Sequence, residues 1–336
     1  MRLLVTGGAG YIGSVVAAVA AREGHEVAVL DDLSTGHADA VPPAAAFTRG
    51  AVRDHARALL AGGADAVLHF AAKSLVAESM ASPSLYWEHN LGGTLALLEA
   101  MRSTGVSKIV FSSTAAVYGE PERVPVTEDA PARPVNPYGA SKLAVDAALT
   151  EHARMHGIAA VSLRYFNVAG AHAGPDGRWF GERHTTETHI IPCILQGALA
   201  NGAAGGHVRI FGDDYPTPDG TCVRDYIHVT DLARAHMLAL DACVPGEHRI
   251  YNLGSGSGFS NREVLSACRE VTGREIPAQI APRRDGDPAV LVASSERIQA
   301  DCGWRVERSL VAMVADAWQF SLERFALDGA VPRGGR

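Results

Sequence analysis

The feature that most constrains this chain is Val5-Thr6-Gly7-Gly8-Ala9-Gly10-Tyr11-Ile12-Gly13. A short apolar run of buried-strand type, Arg2 to Val5, leads into it. Helical spacing of apolar residues over Tyr11 to Glu23 leads out of it and stops before Gly24, a good helix-terminating residue. In that context the glycines have separate jobs. Gly7 lets the chain turn tightly, Gly10 removes a Cβ that would block a pyrophosphate, and Gly13 lets helix and strand pack closely. The phosphates then sit over the positive end of the helix. An ordinary glycine-rich turn is the bland alternative. The N-terminal placement and the acid that follows favour a dinucleotide, with Gly7, Gly10, Tyr11, Ile12 and Gly13 as its cradle.

That acid is Asp31, 18 residues past Gly13 at the end of the next apolar run. A carboxylate there accepts from the adenosine ribose hydroxyls and repels a 2′-phosphate, so the expected cofactor is NAD rather than NADP.

Strand-like and helix-like segments alternate through the first half, which predicts a parallel doubly wound sheet. Strands are expected at Glu26–Leu30, Ala45–Arg49, Ala66–Phe70, Lys108–Ser113 and Ala160–Tyr165, with helices over Arg53–Leu60, Pro83–Arg102 and Pro137–His156. From His172 the pattern breaks into Gly-, Pro- and His-rich stretches. It resumes with a strand at Asp225–Val229, a helix at Asp231–Ala242 and a strand at Arg249–Leu253. Ser260-Asn261-Arg262-Glu263 reads as a capping box, and Ser309–Arg324 as a last amphipathic helix. The expected fold is α/β: a Rossmann-type sheet formed by residues 1–170, which also receives about 224–255. A smaller α/β substrate lobe is expected from 171–223 and 256–330, with 331–336 as a tail.

Composition narrows the setting. With 336 residues, 47% of them hydrophobic, the chain can bury a large core. A net charge of −7 and no basic block argue against nucleic acid and anionic membranes as partners. No apolar run is long enough to span a bilayer, and Met1 leads straight into a strand, unlike a signal peptide. The five cysteines are odd in number, scattered and without a CxxC pair, which predicts a reduced, cytoplasmic protein with no bound metal.

Two further motifs carry chemistry. In Asn136-Pro137-Tyr138-Gly139-Ala140-Ser141-Lys142, Asn136 can cap a helix that begins at Pro137, so Tyr138 and Lys142 share a face at i and i+4. A tyrosine hydroxyl is a weak base at neutral pH, and an ammonium one turn away favours its phenolate. The pair is informative because the chain has only three lysines, at 73, 108 and 142. In Phe111-Ser112-Ser113-Thr114-Ala115-Ala116-Val117-Tyr118-Gly119, a strand ends in consecutive hydroxyls at the edge where open α/β sheets bind ligands.

With these motifs the chain resembles the extended short-chain dehydrogenase/reductase family (NAD-dependent epimerases and dehydratases), and within it the UDP-glucose 4-epimerase branch. The resemblance runs nearly end to end. It includes His69-Phe70-Ala71-Ala72, Asn90 before Gly92-Gly93-Thr94, Leu163-Arg164-Tyr165-Phe166-Asn167, and Ile210-Phe211-Gly212-Asp213-Asp214-Tyr215-Pro216-Thr217. Val223-Arg224-Asp225-Tyr226-Ile227-His228-Val229, Tyr251-Asn252-Leu253-Gly254 and Pro282-Arg283-Arg284-Asp285-Gly286-Asp287 belong to it as well.

The resemblance implies catalysis by Tyr138, Lys142 and Thr114, with Val52, Phe70, Ala71, Asn90 and Tyr165 among the NAD contacts. It implies a UDP-hexose pocket from Asn167, His189, Ile190, Phe211, Arg224, Tyr226, Arg284 and Asp287. Arg224 and Arg284 would take the diphosphate, which suits a planar guanidinium. The implied reaction is C4 epimerisation of UDP-galactose and UDP-glucose through a transient 4-keto sugar, and the implied assembly is a homodimer pairing through the Pro83–Arg102 and Pro137–His156 helices. Three positions depart from the pattern. Thr114 stands where many members have serine, Ala51 where they have an aspartate for the adenine, and Leu291 falls near a tyrosine that narrows the sugar pocket in some. That last change leaves N-acetylated UDP-sugars as the alternative substrates. A 4,6-dehydratase would need an acid/base pair where Ala115-Ala116 stand, and a non-catalytic regulator would not need the Tyr138/Lys142 pair.

Overall fold

In the computed structural model, which describes residues 1–200, 208–284 and 286–330, the alternating segments build a seven-stranded parallel sheet. Its strands are β1 (Arg2–Thr6), β2 (Glu26–Asp31), β3 (Ala46–Arg49), β4 (Ala66–His69), β5 (Lys108–Thr114), β6 (Ala159–Tyr165) and a last one from far along the chain, His248–Leu253. The order is β3, β2, β1, β4, β5, β6, then His248–Leu253, with every neighbour parallel. The order reverses at β1, and a sheet of this kind binds ligands in the crevice beyond the carboxyl ends of β1 and β4.

Successive side chains of a strand point to opposite faces, and here both faces are covered. Leu3 and Val5 pack with Val15, Val19, Val229 and Leu232 from the helices Tyr11–Arg22 and Val229–Asp241. Leu4, between them, packs the other way with Leu60, Leu97, Met101, Val145 and Leu149. Each of these leucines and valines contributes roughly 1.5–3 kcal/mol by burial. A one-residue slip of β1 would put every contact on the wrong face.

The helix expected over Pro83–Arg102 runs from Pro83 to Thr104 and does not have one regular geometry. Pro83–Tyr86 is α-helical, Trp87–Gly92 is a π-helical turn, and Gly93–Thr104 returns to α. Within the widened turn the Asn90 carbonyl accepts from the Thr94 hydroxyl at 2.6 Å, and the Asn90 side chain reaches out to a neighbouring loop. A π-turn of this sort accommodates one extra residue per turn and is common near functional sites.

A second core lies outside the large sheet. Ile191, Ile194 and Leu195 meet Val264, Leu265 and Cys268, with Met313, Val314 and Trp318 closing over them. These residues come from the helices Ile190–Leu199, Asn261–Thr272 and Leu310–Ala330. The expected capping box forms: Ser260 Oγ accepts from the Glu263 N–H at 3.1 Å, and Glu263 accepts from the Ser260 N–H at 2.7 Å. Val223–His228 ties the two cores together. It pairs with Gly258–Ser260, Val290–Leu291 and Asn167–Ala169. All five cysteines are free. Among the described residues no helix is long and apolar enough to cross a membrane. The tail at 331–336 and residue 285 of the arginine motif lie outside the described residues.

Candidate active site

The carboxyl edge of the large sheet and the second core face each other across one cleft of about 1790 Å³. The glycine loop forms one wall. A Cβ on Gly13 would stand 2.2 Å from the Gly7 carbonyl oxygen, so that position must be glycine for the loop and helix to close. At Gly10 the same test finds only the Gly7 oxygen, at an ordinary 3.4 Å. The protein itself leaves room for a side chain there, so the reason for glycine lies in what occupies the cleft. Asp31, 8% exposed, accepts from the N–H groups of Ala9 at 3.0 Å and Leu33 at 2.8 Å. Burial raises its pKa, and those two backbone bonds work in the opposite direction. Its oxygens keep lone pairs for a further donor. A bare cradle at a helix start, followed by a buried carboxylate, fits the NAD expected from the sequence.

Tyr138 and Lys142 lie on the helix Pro137–His156, which starts as expected: the Gly139 N–H donates to Asn136 Oδ1 at 2.8 Å. Thr114 ends β5, where its hydroxyl accepts from the Ala116 N–H at 3.2 Å and stands beside the Tyr138 hydroxyl. Burial raises the Tyr138 pKa above its ordinary value, partly offset by the polar Thr114 side chain. Lys142 is 2% exposed, and its pKa is lowered to about 7 by burial, with Asp146 working against the shift. Its Nζ donates to the Ser112 carbonyl at 2.8 Å and stands 4.7 Å from the centre of the Phe111 ring. The ammonium is therefore held by β5. Desolvation dominates at Tyr138, and the phenol needs added positive charge to become a base near neutral pH.

Beside this pair, Tyr165 and Ser112 share a short hydrogen bond between their hydroxyls. Asn90 is the one candidate residue that does not line the cleft. It is 2% exposed, receives the Lys73 N–H at 2.8 Å, and donates to the Lys73 carbonyl and to Ser141 Oγ, both at 3.0 Å. Lys73 is the residue that faces the cavity there. Val52, Phe70 and Ala71 line the same wall, as does Ala51 in place of a carboxylate.

The far wall carries the second-lobe residues: Asn167, His189, Ile190, Phe211, Arg224, Tyr226, Arg284 and Asp287 all line it, as does Leu291. Arg224 forms a short ion pair with Asp287 and donates to the Val223 carbonyl at 2.7 Å. Arg284 lies over the Phe211 ring, 3.9 Å from its centre. The adjacent Arg283 instead packs on Tyr215 and pairs with Asp214 at 2.6 Å, so consecutive arginines are sorted between cavity and surface. Lys73, Ser112, Glu187 and Cys193 line the cleft without having been singled out individually. Ser112 belongs to the hydroxyl run that ends β5. Glu187 and Cys193 stand in an irregular segment and a helix start where spacing carries no directional signal.

Comparison with known proteins matches residues 3–254 to the NAD dependent epimerase/dehydratase family. A UDP-glucose 4-epimerase of Corynebacterium glutamicum is 54% identical over 326 residues, 96% of each chain. Among solved structures, a UDP-glucose-4-epimerase from Stenotrophomonas maltophila with bound NAD and formylated UDP-arabinopyranose superposes with a TM-score of 0.90. It is 40% identical, over 98% of this chain and all of that one. A UDP-glucose 4-epimerase from Bifidobacterium longum in complex with NAD+ and UDP gives 0.88 at 36% identity, over 96% and 98%. The cradle, the Tyr138–Thr114 pair and these likenesses agree, and the chain belongs to the NAD dependent epimerase/dehydratase family.

Proposed function

We propose that this protein interconverts UDP-galactose and UDP-glucose by inverting C4 of the hexose, using NAD as a resident cofactor. The observation that carries the reading is a single cleft bounded by both the glycine cradle with its hydroxyl pair and the Arg224, Arg284 and Asp287 wall. The full-length likeness to UDP-glucose 4-epimerases supports the same substrate class. In this reading residues 1–170 with about 224–255 hold the cofactor, and 171–223 with 256–330 hold the UDP-sugar.

Bound NAD supplies a hydride acceptor and donor. Tyr138 takes the proton of the sugar 4-hydroxyl and later returns it, and Thr114 orients the tyrosine oxygen. Lys142, in its protonated form, contributes positive charge one helical turn away. Arg224 leaves Asp287 to share the diphosphate with Arg284 in bidentate fashion, while Asp287 becomes free for the uridine ribose. Phe211 offers its ring beside the uracil. Charged groups thus grip the nucleotide, and the sugar meets mainly neutral side chains. A 4-keto sugar can then turn about its link to the diphosphate and present its other face.

The assembly proposed is a cytoplasmic homodimer serving galactose metabolism. Exposed Trp87 and Leu95 on one helix and Met155 on another give its pairing face apolar contacts. The reaction is tested by incubating freshly purified protein with UDP-galactose and no added NAD. UDP-glucose should accumulate to an equilibrium mixture, and acid extraction should release NAD(H) from the protein. A 4-keto-6-deoxy product, or no turnover from protein shown to contain NAD, overturns the reading.

A further inference from the structure

Glu182, His184, Glu187 and His189 follow the strand Trp179–Gly181 and lead into the helix Ile190–Leu199. The absence of metal expected from the scattered cysteines concerns thiolate sites alone. Here the donors are imidazole and carboxylate. One ligand atom from each of the four side chains lies within 4.8 Å of all the others. His184 Nδ1 is 3.2 Å from Glu182 Oε1 and 3.4 Å from Glu187 Oε2. His189 Nδ1 is 3.9 Å from Glu187 Oε1 and is hydrogen-bonded to Glu182 Oε1. A tetrahedron built on metal–ligand bonds of about 2.0–2.1 Å has edges of about 3.3–3.4 Å, close to the two separations from His184.

Three further observations favour an ion. The Glu182 and Glu187 side chains are only 6% and 4% exposed, and two carboxylates out of water require compensating positive charge. The buried Nδ1 of His184 faces both of them yet makes no hydrogen bond of normal geometry. The segment is also braced from outside: Arg183 pairs with Asp39, and the Arg183 carbonyl lies 2.9 Å from His37 Nε2. Four ligands within eight residues, on a tethered stretch, need little chain ordering to close around one ion.

We propose that Glu182, His184, Glu187 and His189 bind one divalent ion of the zinc class in four-coordinate geometry. Two imidazoles and two carboxylates favour Zn²⁺, Co²⁺ or Ni²⁺ over Mg²⁺ and Ca²⁺, which prefer all-oxygen shells. The ion fixes the stretch that brings His189 and Ile190 to the cleft, so its role is to shape the rim.

The test uses untagged, chelator-treated protein that retains its NAD, titrated with Co²⁺. One equivalent should produce the visible absorption bands of four-coordinate cobalt, and Zn²⁺ should abolish them. His184→Ala and Glu187→Gln should each weaken binding at least tenfold. A spectrum that stays that of aqueous Co²⁺ overturns the proposal and leaves two simple imidazole–carboxylate pairs. Bands unchanged in both variants overturn it as well. X-ray absorption of the wild-type complex provides a reading independent of how the variants fold: two imidazole ligands are expected, and fewer than two refute the site.

Discussion

The Nζ of Lys142 lies 2.8 Å from the carbonyl oxygen of Ser112, so the ammonium rests on β5 and not on the tyrosine one turn before it. Its folded-state pKa, about 7, is well below the ordinary lysine value of 10.5. Between those two values the unfolded chain binds more protons than the folded one, so this group's contribution to stability rises as pH rises from about 7 toward 10. Lys142→Met, which keeps the length and removes the charge, should stabilise the cofactor-free protein at pH 6–7, by an amount on the order of a few kcal/mol. The advantage should shrink toward pH 10. Thermal unfolding of both proteins at several pH values checks this, and a difference independent of pH would refute it.

Tyr138→Phe removes the hydroxyl that stands beside Thr114 in the cleft. Turnover of UDP-galactose should fall by roughly 10²–10⁴, the usual worth of a positioned acid/base group. The dissociation constant for UDP should stay within about twofold, because the nucleotide contacts proposed above come from the far wall. Calorimetric titration with UDP beside a coupled assay separates the two. Near-wild-type turnover would remove Tyr138 from the chemistry.

The glycine loop offers a paired comparison. Gly13→Ala sets a Cβ 2.2 Å from the Gly7 oxygen, where only backbone movement can relieve it, and should lower the melting temperature by several degrees. Gly10→Ala has room within the protein and should change the stability of the cofactor-free form by about 1 kcal/mol or less. It should nonetheless weaken NAD binding at least tenfold. Equal NAD affinity in wild type and Gly10→Ala would mean that the cofactor does not approach this backbone.

Behind the site, Arg164 and Asp146 form a buried ion pair at 2.8 Å, with side chains 5% and 3% exposed. Arg164 also donates to Tyr118, whose hydroxyl donates to Asn252 Oδ1 at 2.7 Å. Asp146→Asn leaves the guanidinium without its counter-charge and should cost about 3–5 kcal/mol in urea unfolding. A loss below about 1 kcal/mol would show that water reaches the pair.

Much of this was legible in the sequence because it was local. Gly7 to Gly13, the Asn136 cap, the Ser260 capping box and the strands of the large sheet each declare themselves within ten residues or so. What was hidden depends on partners far along the chain. The pairing of Asn167–Ala169, Gly258–Ser260 and Val290–Leu291 with Val223–His228 involves segments of two or three residues, too short for periodicity to register. The π-turn at Trp87–Gly92 keeps helical composition and alters only the winding. The i, i+4 spacing put Lys142 and Tyr138 on one face correctly, but spacing says nothing about the Ser112 carbonyl that holds the ammonium. Asn90 could be marked as a site residue from its motif, while its place one layer behind Lys73 needed the fold.

The last strand of the large sheet, His248–Leu253, pairs with β6 over six residues, although Ile191, Ile194, Leu195 and Tyr226 of the second core come between the two strands in the chain. On a ribosome adding about 5–20 residues per second, β6 emerges roughly 4 to 18 s ahead of its neighbour. During that interval the nascent sheet has an apolar open edge, the kind of surface that recruits other chains. Synthesis order therefore makes this edge the molecule's point of exposure to chaperones. It also means that a fragment cut after residue 170 would carry that edge permanently and be expected to aggregate.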